Sequence, residues 1–302
     1  MKKGLVSVVI PTYKREPEML KRALDSVACQ TYKDLEVIVV DDSPDDFEKR
    51  PLIKELVTGY DKLNITYIQH ETNKGGAAAR NTGIEASNGE FVALLDDDDE
   101  WLPEKTEKQL ALMSDKDVGL VYCREYIVDS QTLEKTLNSR DYRKGFVFKH
   151  LIINNFIGGN SFILIRRSVL DDSGWFNPVM KSAQDAELFL RISRKCKVDY
   201  CDEPLLNYYM NHGEQITGNP YNKIQGFEFI DKKYAGYLFF HPIKKAIRLE
   251  KLIPFYKKTD KKKAIKTLWK VVFLTPYKIK KNIDLLRQIK YTMQDVRKEN
   301  NK

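Results

Sequence analysis

The 302-residue sequence has little cysteine and no long apolar run. Its four cysteines are scattered without a CxxC pair, so we expect small buried side chains rather than a disulfide or a zinc site. The longest apolar runs are strand-sized, well short of the roughly eighteen residues that cross a bilayer. Met1-Lys2-Lys3-Gly4 leads into a strand pattern instead of an apolar leader. These absences predict a cytoplasmic protein.

Charge is unevenly distributed along the chain. Residues 221–302 carry 22 lysines and arginines against 7 acidic residues, whereas residues 1–220 carry 29 against 36. An acidic body with a basic tail indicates that the positive charge serves an added surface and not the main site. The tail has no recognisable groove-reading motif, so nucleic acid is not expected as a partner.

Strand and helix patterns alternate through the first third of the chain. The predicted strands are Leu5–Ile10, Glu36–Val40, Ile65–Ile68 and Phe91–Leu95. The predicted helices are Pro17–Val27, Phe47–Thr58, Gly76–Ala86 and one opened by Pro103. This alternation predicts an α/β fold with a mostly parallel sheet and helices on both faces.

The remaining chain gives a different pattern. Shorter strands are expected between Val118 and Phe148, followed by a strand at Phe162–Ile165 and a helix at Ala183–Arg194. Beyond about Pro220 the spacing is helical, and we expect Pro242, Pro254 and Pro276 to separate the helices. The sequence therefore predicts a C-terminal helical region.

Polar segments follow three of the predicted strands. They are Tyr13, the pair Asp41-Asp42 and the run Asp96–Asp99. Ligands bind at the carboxyl ends of parallel strands, so these segments predict one composite site. Packed carboxylates repel one another unless a cation or hydrogen-bond donors lie among them. The run therefore indicates a divalent-cation site, with a solvated acidic loop as the alternative.

Several ordered motifs carry a family resemblance. They are Val6–Tyr13, Val39–Ser43, Asn73–Gly83, Asn88–Phe91 and Asp96–Pro103. In this order they resemble family 2 glycosyltransferases of the GT-A fold, of the bacterial non-processive type, over about residues 4–218. The resemblance implies a GT-A-like domain at 1–218, with a nucleotide-binding half at 1–100 and an acceptor half at 101–218. Residues 219–302 form the basic helical region.

The resemblance also implies a set of donor-binding residues. They are Pro11, Thr12, Tyr13, Asp42, Gly75, Arg80, Asp96 and Asp97. In this reading Asp42 accepts a hydrogen bond from the uracil ring and Arg80 lies beside the diphosphate. The residues alone leave alternatives open, because Tyr13 could pack on the core and Asp42 could cap a helix. Arg80 could instead balance the charge of Asp41 or Asp96.

The resemblance implies that Asp98 is a metal ligand, with His212 as a second candidate ligand. The expected cofactor is Mn²⁺ or Mg²⁺. Asp97 would face the ribose and Asp96 would support the loop. Asp99 could cap the helix near Pro103.

The catalytic base implied by the resemblance is Asp185, at a predicted helix start. The residue before it is Gln184, where the family usually has glutamate. Asp185 as a simple helix cap is the alternative. The implied acceptor region includes Asn160, Ser161 and Trp175.

The expected function is an inverting, metal-dependent transfer of one hexose or N-acetylhexosamine from a UDP-sugar to an acceptor hydroxyl. The acceptor would be a glycan or a lipid-linked precursor of a cell-surface polysaccharide. The QxxRW signature of processive members is absent from Leu188–Ser193. A sugar-phosphate nucleotidyltransferase would favour a glycine-rich loop where Pro11-Thr12-Tyr13 stands. A catalytically silent nucleotide-sugar-binding module is the non-enzymatic alternative.

One apolar stripe stands out in the basic tail. It comprises Ile265, Leu268, Trp269, Val272 and Phe273, beside Lys262, Lys263, Lys266 and Lys270. The pattern suits a helix lying on an anionic bilayer, which would make the enzyme peripheral on the inner face of the cell membrane. The stripe could equally pack a small helical subdomain.

Overall fold

The computed structural model describes residues 1–210 and 219–300. Its contacts divide the chain into two compact units. The first comprises Met1–Pro178 and Asp185–Gly213, and the second comprises Val179–Gln184 and Glu214–Lys302.

The first unit contains one sheet with nine strands in the described residues. They are β1 (Lys2–Thr12), β2 (Leu35–Asp41), β3 (Ile65–Gln69), β4 (Gly89–Leu94), β5 (Glu100–Trp101), β6 (Val118–Asp129), β7 (Lys135–Leu137), β8 (Leu164–Arg166) and β9 (Lys197–Met210). The order across the sheet is β3-β2-β1-β4-β8-β6-β9-β5, and β7 pairs with β6. The long pairings of β1, β2, β3 and β4 and of β6 with β9 are parallel, whereas the antiparallel pairings are short.

The central strand β1 shows why these segments form a sheet. Val6, Ser7, Val8, Val9 and Ile10 are all fully buried. Successive side chains of a strand point to opposite faces, so both faces of β1 are covered. The predicted mostly parallel α/β fold is confirmed.

The first unit also contains seven helices in the described part of the chain. They are α1 (Pro17–Ala28), α2 (Arg50–Thr58), α3 (Gly76–Ala86), α4 (Lys105–Leu112), α5 (Phe148–Leu151), α6 (Arg167–Ser173) and α7 (Gln184–Ile192), the last of which begins at the boundary with the second unit. A short 3₁₀ helix spans Asn160–Phe162.

Two expectations for this unit are wrong in part. β6 has 12 residues, because it pairs in parallel along β9 and buries its first six side chains, so the segment is not only short strands. All four cysteines, which lie in the described residues, are free thiols, but Cys29 at the end of α1 is exposed. The other three are buried as expected.

Helix α3 packs on β1 and β2 through Gly83. A Cβ at Gly83 would lie 2.3 Å from Val9 Cγ1. We expect Gly83→Ala to lower the free energy of unfolding by about 1–3 kcal/mol, because the close-packed strand cannot move away. Urea denaturation would measure this, with Gly236→Ala as the control because its Cβ meets no described atom within 4 Å. Equal stability of both variants would contradict the assignment of Gly83 as a close-packing position.

The second unit contains five helices within residues 219–300. Its helices are α8 (Pro220–Lys233), α9 (Ala235–Phe239), α10 (Pro242–Thr259), α11 (Lys261–Leu274) and α12 (Ile279–Asn300). None of the described helices is long and apolar enough to cross a membrane. A buried cluster joins α10, α11 and α12, with Ala246, Ile253, Leu268, Val271 and Leu285 among its members.

The expectation that Pro254 separates two helices is wrong. Pro254 lies inside α10, which continues to Thr259. Proline in a helix interior costs about 3 kcal/mol. The burial of Leu252, Ile253 and Tyr256 on either side of Pro254 offsets this cost.

Candidate active site

The carboxyl ends of β1, β2 and β4 meet at one edge of the sheet. Thr12 pairs with Asp41 at the ends of β1 and β2. The amide of Leu95 donates to the carbonyl of Val9 at 3.1 Å, so the aspartate run leaves β4 beside the end of β1. The predicted gathering of the three polar segments at one edge is therefore confirmed.

Asp42 is buried under the turn that starts α3. Its Oδ1 accepts a hydrogen bond from the amide of Lys74 at 2.8 Å, and its Oδ2 accepts one from the amide of Gly75 at 2.7 Å. Gly75 has a φ of 85°, a conformation that favours glycine. The carboxylate thus determines where the turn approaches the sheet edge. Its role toward a uracil ring remains a prediction.

His70 lies on the other side of Asp42, directly after β3. Its Nδ1 is 2.7 Å from Asp42 Oδ1, and its Nε2 is 2.9 Å from Thr82 Oγ1 on α3. The buried imidazole therefore links the end of one strand to the helix that follows the glycine turn.

Tyr13 lies at the rim of this edge. Its side chain is 37% exposed, whereas the preceding Thr12 is buried and Pro11 is partly buried. The Nζ of Lys14 is 5.7 Å from the Tyr13 ring centroid. An exposed aromatic face of this kind can stack on a base. Tyr13 does not pack in the core, so that alternative is wrong.

Two arginines bind the middle of the aspartate run. Arg15 donates from Nε to Asp97 Oδ1 at 2.7 Å and from Nη2 to Asp98 Oδ2 at 2.6 Å. Arg22 donates from Nη2 to the carbonyl of Asp98 at 2.6 Å. These donors neutralise charge that would otherwise make the run repel itself.

A third arginine binds the start of the run. Arg80 Nη2 lies 2.5 Å from Asp96 Oδ1, and both side chains are largely buried. The amide of Asn160, oriented with its oxygen toward Arg80, accepts from Nη2 at 3.1 Å. Arg80 therefore balances Asp96, as one of the two interpretations predicted. Its contact with a diphosphate remains a prediction.

The buried aspartates have altered proton affinities. Burial raises the pKa of Asp97 to about 6, although the guanidinium of Arg15 opposes this shift. Burial, together with the charges of Asp98 and Asp96, raises the pKa of Asp99 well above its ordinary value. Desolvation of a carboxylate disfavours its charged form.

This shift predicts a pH dependence of stability. A folded-state pKa of about 6 for Asp97 exceeds its unfolded value, so its stabilising contribution is complete below about pH 4 and is lost as the pH rises through about 6. Asp97→Asn removes that proton. We therefore expect wild type to lose stability relative to Asp97→Asn between about pH 4 and pH 6. Urea unfolding across this range measures it, with exposed Asp46→Asn as control; parallel pH curves would contradict it.

Asp99 does not cap a helix, so that expectation is wrong. α4 begins two residues after Pro103 and has no side-chain cap. Instead, Asp99 Oδ2 accepts from Ser161 Oγ at 2.5 Å, and Ser161 Oγ accepts from the amide of Asp96 at 3.0 Å. Packing of the 3₁₀ helix under the run, which is non-local in sequence, determines this bond.

Tyr208 on β9 connects the aspartate run to the predicted base. The pKa of its phenol is raised to about 12, mainly by burial. The negative charges of Asp99, Asp96, Asp98 and Asp185 are smaller causes that act in the same direction. The phenol therefore lies within electrostatic reach of both the aspartate run and Asp185. The structure brings together two acidic groups that are almost ninety residues apart in sequence.

Asp185 lies in the first turn of α7 and is partly exposed. Asn155 Nδ2 makes a long contact of 3.5 Å with Asp185 Oδ2 and donates to the carbonyl of Gly158 at 2.8 Å. The neighbouring Gln184 donates from Nε2 to the carbonyl of Met180 at 2.5 Å. The glutamine therefore has a local hydrogen-bond partner where the family usually has a carboxylate.

The three predicted acceptor residues have different surroundings. Ser161 is buried, and its carbonyl accepts from Trp101 Nε1 at 2.9 Å, with Trp101 itself buried in the core. Asn160 is buried beside the guanidinium of Arg80. Trp175 borders a groove of about 520 Å³ and donates from Nε1 to Asp171 Oδ1 at 2.9 Å. Their roles toward an acceptor remain predictions.

The carboxylates suit a cation that is shared with a ligand. Asp96 and Asp98 have side chains that are 29% and 21% exposed at the strand end. No group of three or more potential metal-ligating side chains occurs within residues 1–210 and 219–300. His212, the second candidate ligand, lies outside the described residues. Mg²⁺ and Mn²⁺ are commonly held by one or two carboxylates plus phosphate oxygens, so the donor set fits.

Sequence reasoning missed Arg15, Arg22 and His70. Arg15 and His70 each follow a predicted strand at the carboxyl edge, the same signal that selected Tyr13. Arg22 had no comparable signal, because it lies within α1 and reaches the run only through tertiary packing.

Comparisons with known proteins agree with this geometry. A model of glycosyl transferase family 2 matches residues 7–174, more than half of the chain. WcaA of Escherichia coli strain K12, a glycosyl transferase named for colanic acid biosynthesis, is 30% identical over 244 residues, 78% of this chain and 80% of WcaA. AmsB of Erwinia amylovora, named for amylovoran biosynthesis, is 30% identical over 234 residues, 72% of this chain and 74% of AmsB.

A solved structure agrees on the fold. S. aureus TarS 1–349 in complex with UDP-GlcNAc aligns with a TM-score of 0.65 and 20% identity, covering 96% of this chain and 92% of that chain. The aspartate run at the sheet edge, the sheet that positions it and the matching family model lead to one conclusion. The chain belongs to glycosyl transferase family 2 and has a GT-A-like fold.

Proposed function

We propose that the protein is an inverting glycosyltransferase that moves one sugar from a UDP-sugar to an acceptor hydroxyl in polysaccharide synthesis. The observation that carries this proposal is that one short segment contacts both groups of carboxylates, with Asn155 at Asp185 and Asn160 at the Arg80–Asp96 pair. Catalysis by inversion needs one group to take the proton of the acceptor and another site to stabilise the leaving diphosphate. These two groups of carboxylates provide the two sites.

Asp185 would act as the general base. Its partly exposed carboxylate would accept the proton of the acceptor hydroxyl while that oxygen attacks the anomeric carbon and the bond to UDP breaks. One displacement of this kind inverts the anomeric configuration.

The aspartate run would hold the donor. Asp98 would hold a divalent cation, Mn²⁺ or Mg²⁺, whose positive charge would be available to stabilise the leaving UDP. Arg15 contacts Asp98 and Arg80 contacts Asp96, and a guanidinium in either position would suit pairing with a diphosphate. Asp97 would face the ribose.

The remaining proposed contacts with the donor are made to its uracil ring. Tyr13 would stack on uracil beside Pro11 and Thr12, and Asp42 would lie near the base through the turn at Gly75. The exposed ring of Tyr13 supports this arrangement. Trp175 and Asn160 would border the acceptor.

Named relatives support a UDP-sugar donor and polysaccharide synthesis. TarS has been solved with UDP-GlcNAc and with UDP, and WfgD of E. coli is named a UDP-Glc:alpha-D-GlcNAc-diphosphoundecaprenol beta-1,3-glucosyltransferase. The chain spans about half the length of WfgD, at 30% identity. The proposed donor is therefore a UDP-hexose or a UDP-N-acetylhexosamine, and the proposed acceptor is a glycan or a lipid-linked precursor on the inner face of the cell membrane.

A panel of nucleotide sugars tests the proposal. Each is added with Mn²⁺ while UDP release and the melting temperature are followed. We expect one UDP-sugar to raise the melting temperature and to release UDP, with both effects lost in EDTA. A thermal shift without UDP release, even with glycan acceptors, would favour the silent binding module. Pyrophosphate-dependent UTP formation would favour a nucleotidyltransferase.

A further inference from the structure

Helix α11 of the second unit has two chemically different faces. Ala264, Thr267, Leu268 and Val271 are buried, and three of them belong to the buried clusters of this unit. The apolar stripe predicted from the sequence is therefore divided. Leu268 packs inside the unit, whereas Trp269 and Phe273 do not.

The opposite face carries both charge and aromatic surface. We call it the aromatic–lysine face of α11; it comprises Lys262, Lys266, Trp269, Lys270 and Phe273, all exposed. Their spacing of four, three, one and three residues places them on one side of a helix. Trp269 is 41% exposed and Phe273 is 77% exposed, with ring centroids 6.2 Å apart.

The composition of the helix strengthens this contrast. α11 contains no acidic residue, and its acidic N-cap, Asp260, uses its side chain to accept from the amide of Lys263. The ammonium group of Lys263 lies 2.6 Å from Glu228 Oε1, so that lysine is paired within the unit. Lys262, Lys266 and Lys270 stand on the other side, beside the two aromatic rings.

We propose that the aromatic–lysine face of α11 is a docking surface for an anionic lipid bilayer. Tryptophan and phenylalanine beside lysines are the composition that lies in the boundary between headgroups and acyl chains. Lysines near an anionic leaflet each contribute about a fivefold gain in binding. The inner half of the helix remains packed in its unit, so binding needs no unfolding.

The charge of the face selects this occupant over a second copy of the chain. Contact between two such faces would bring six ammonium groups close together, and α11 itself has no carboxylate to neutralise them. An anionic bilayer instead attracts the lysine ammonium groups and can bury the exposed aromatic rings. The inference does not depend on the proposed transfer reaction, because vesicle binding needs neither donor nor acceptor.

Vesicle flotation of the full chain tests this surface. Vesicles of phosphatidylcholine with phosphatidylglycerol are compared with phosphatidylcholine alone. We expect binding to the anionic vesicles only, and loss of that binding at about 0.5 M salt, where the Debye length is a few ångströms. Trp269→Ser with Phe273→Ser, and separately Lys262, Lys266 and Lys270→Gln, should each weaken binding at least about tenfold.

Two controls make the result specific. Tyr221→Ser removes an exposed aromatic ring from α8, which also carries acidic residues, and should leave binding unchanged. Tryptophan emission should shift to shorter wavelength with anionic vesicles, and the shift should disappear in Trp269→Phe while binding persists. All the variants should keep the wild-type melting temperature.

Three results would overturn the proposal. One is equal flotation of wild type and both face variants. Another is binding to neutral vesicles that salt does not reduce. The third is a wild-type dimer in solution that the face variants convert to monomer, which would identify a contact between copies instead.

Discussion

Asp185→Asn is expected to lower turnover at least about a hundredfold while leaving the affinity for UDP unchanged, because asparagine cannot accept the proton of an acceptor hydroxyl. Asparagine retains the shape of aspartate and can still accept a hydrogen bond at the start of α7. The long contact with Asn155 is also compatible with an amide. Stability should therefore change little. Initial rates at saturating UDP-sugar, UDP titration and thermal melting measure the three quantities.

The matched control for this variant is Asp172→Asn, which makes the same chemical change on an exposed carboxylate of α6. It should retain wild-type turnover. If Asp185→Asn melts several degrees lower and turns over normally, Asp185 is a helix cap and the base must be sought elsewhere.

Asp98→Ala is expected to abolish cation-dependent binding of UDP and to remove transfer activity. In the proposed site, the alanine would delete one hard ligand from a cation that has few others in the protein. Loss of even an outer-shell partner typically costs about 10–100-fold in metal affinity, so loss of the ligand should cost at least as much. Calorimetric titration of UDP with Mn²⁺ and with EDTA separates cation-dependent from cation-independent affinity.

Arg15 complicates this experiment, because its Nη2 binds Asp98 Oδ2. Asp98→Asn keeps a hydrogen-bonding oxygen near Arg15 but removes the charge that a cation requires, so we expect the same loss. Asp46→Ala deletes an exposed carboxylate and should have no effect. Wild-type turnover of Asp98→Ala in EDTA would contradict the metal role.

The part of the sheet formed by β1, β2, β3 and β4 could be predicted because its signals are local. Runs such as Val6–Ile10 are buried on both faces and read as continuous apolar segments. The pairing of the later strands was harder to predict, since β6 pairs in parallel with β9 some eighty residues later. Such pairing depends on partners that no window of sequence contains.

The same distinction holds within the candidate site. Asp42, Asp96 and Asp98 follow strands that end at one edge, so their proximity follows from strand order. The hydrogen-bond partners of these carboxylates do not follow from strand order. Arg22 belongs to a helix whose periodicity predicts only a buried and an exposed side, and packing of α1 brings its guanidinium to the carbonyl of Asp98. Ser161 reaches Asp99 only because the 3₁₀ helix lies beneath the run.

By itself the sequence determined the alternation of strands and helices, the edge where polar segments gather, and the family. These depend on periodicity and on motif order, which are properties of neighbouring residues. Only the tertiary structure decided that α10 continues through Pro254, and that Leu268 is buried while Trp269 and Phe273 remain exposed. Both outcomes depend on the free energy of packing between helices. In α10 this packing compensates the hydrogen bond that Pro254 cannot make. In α11 it selects which half of the apolar stripe is buried.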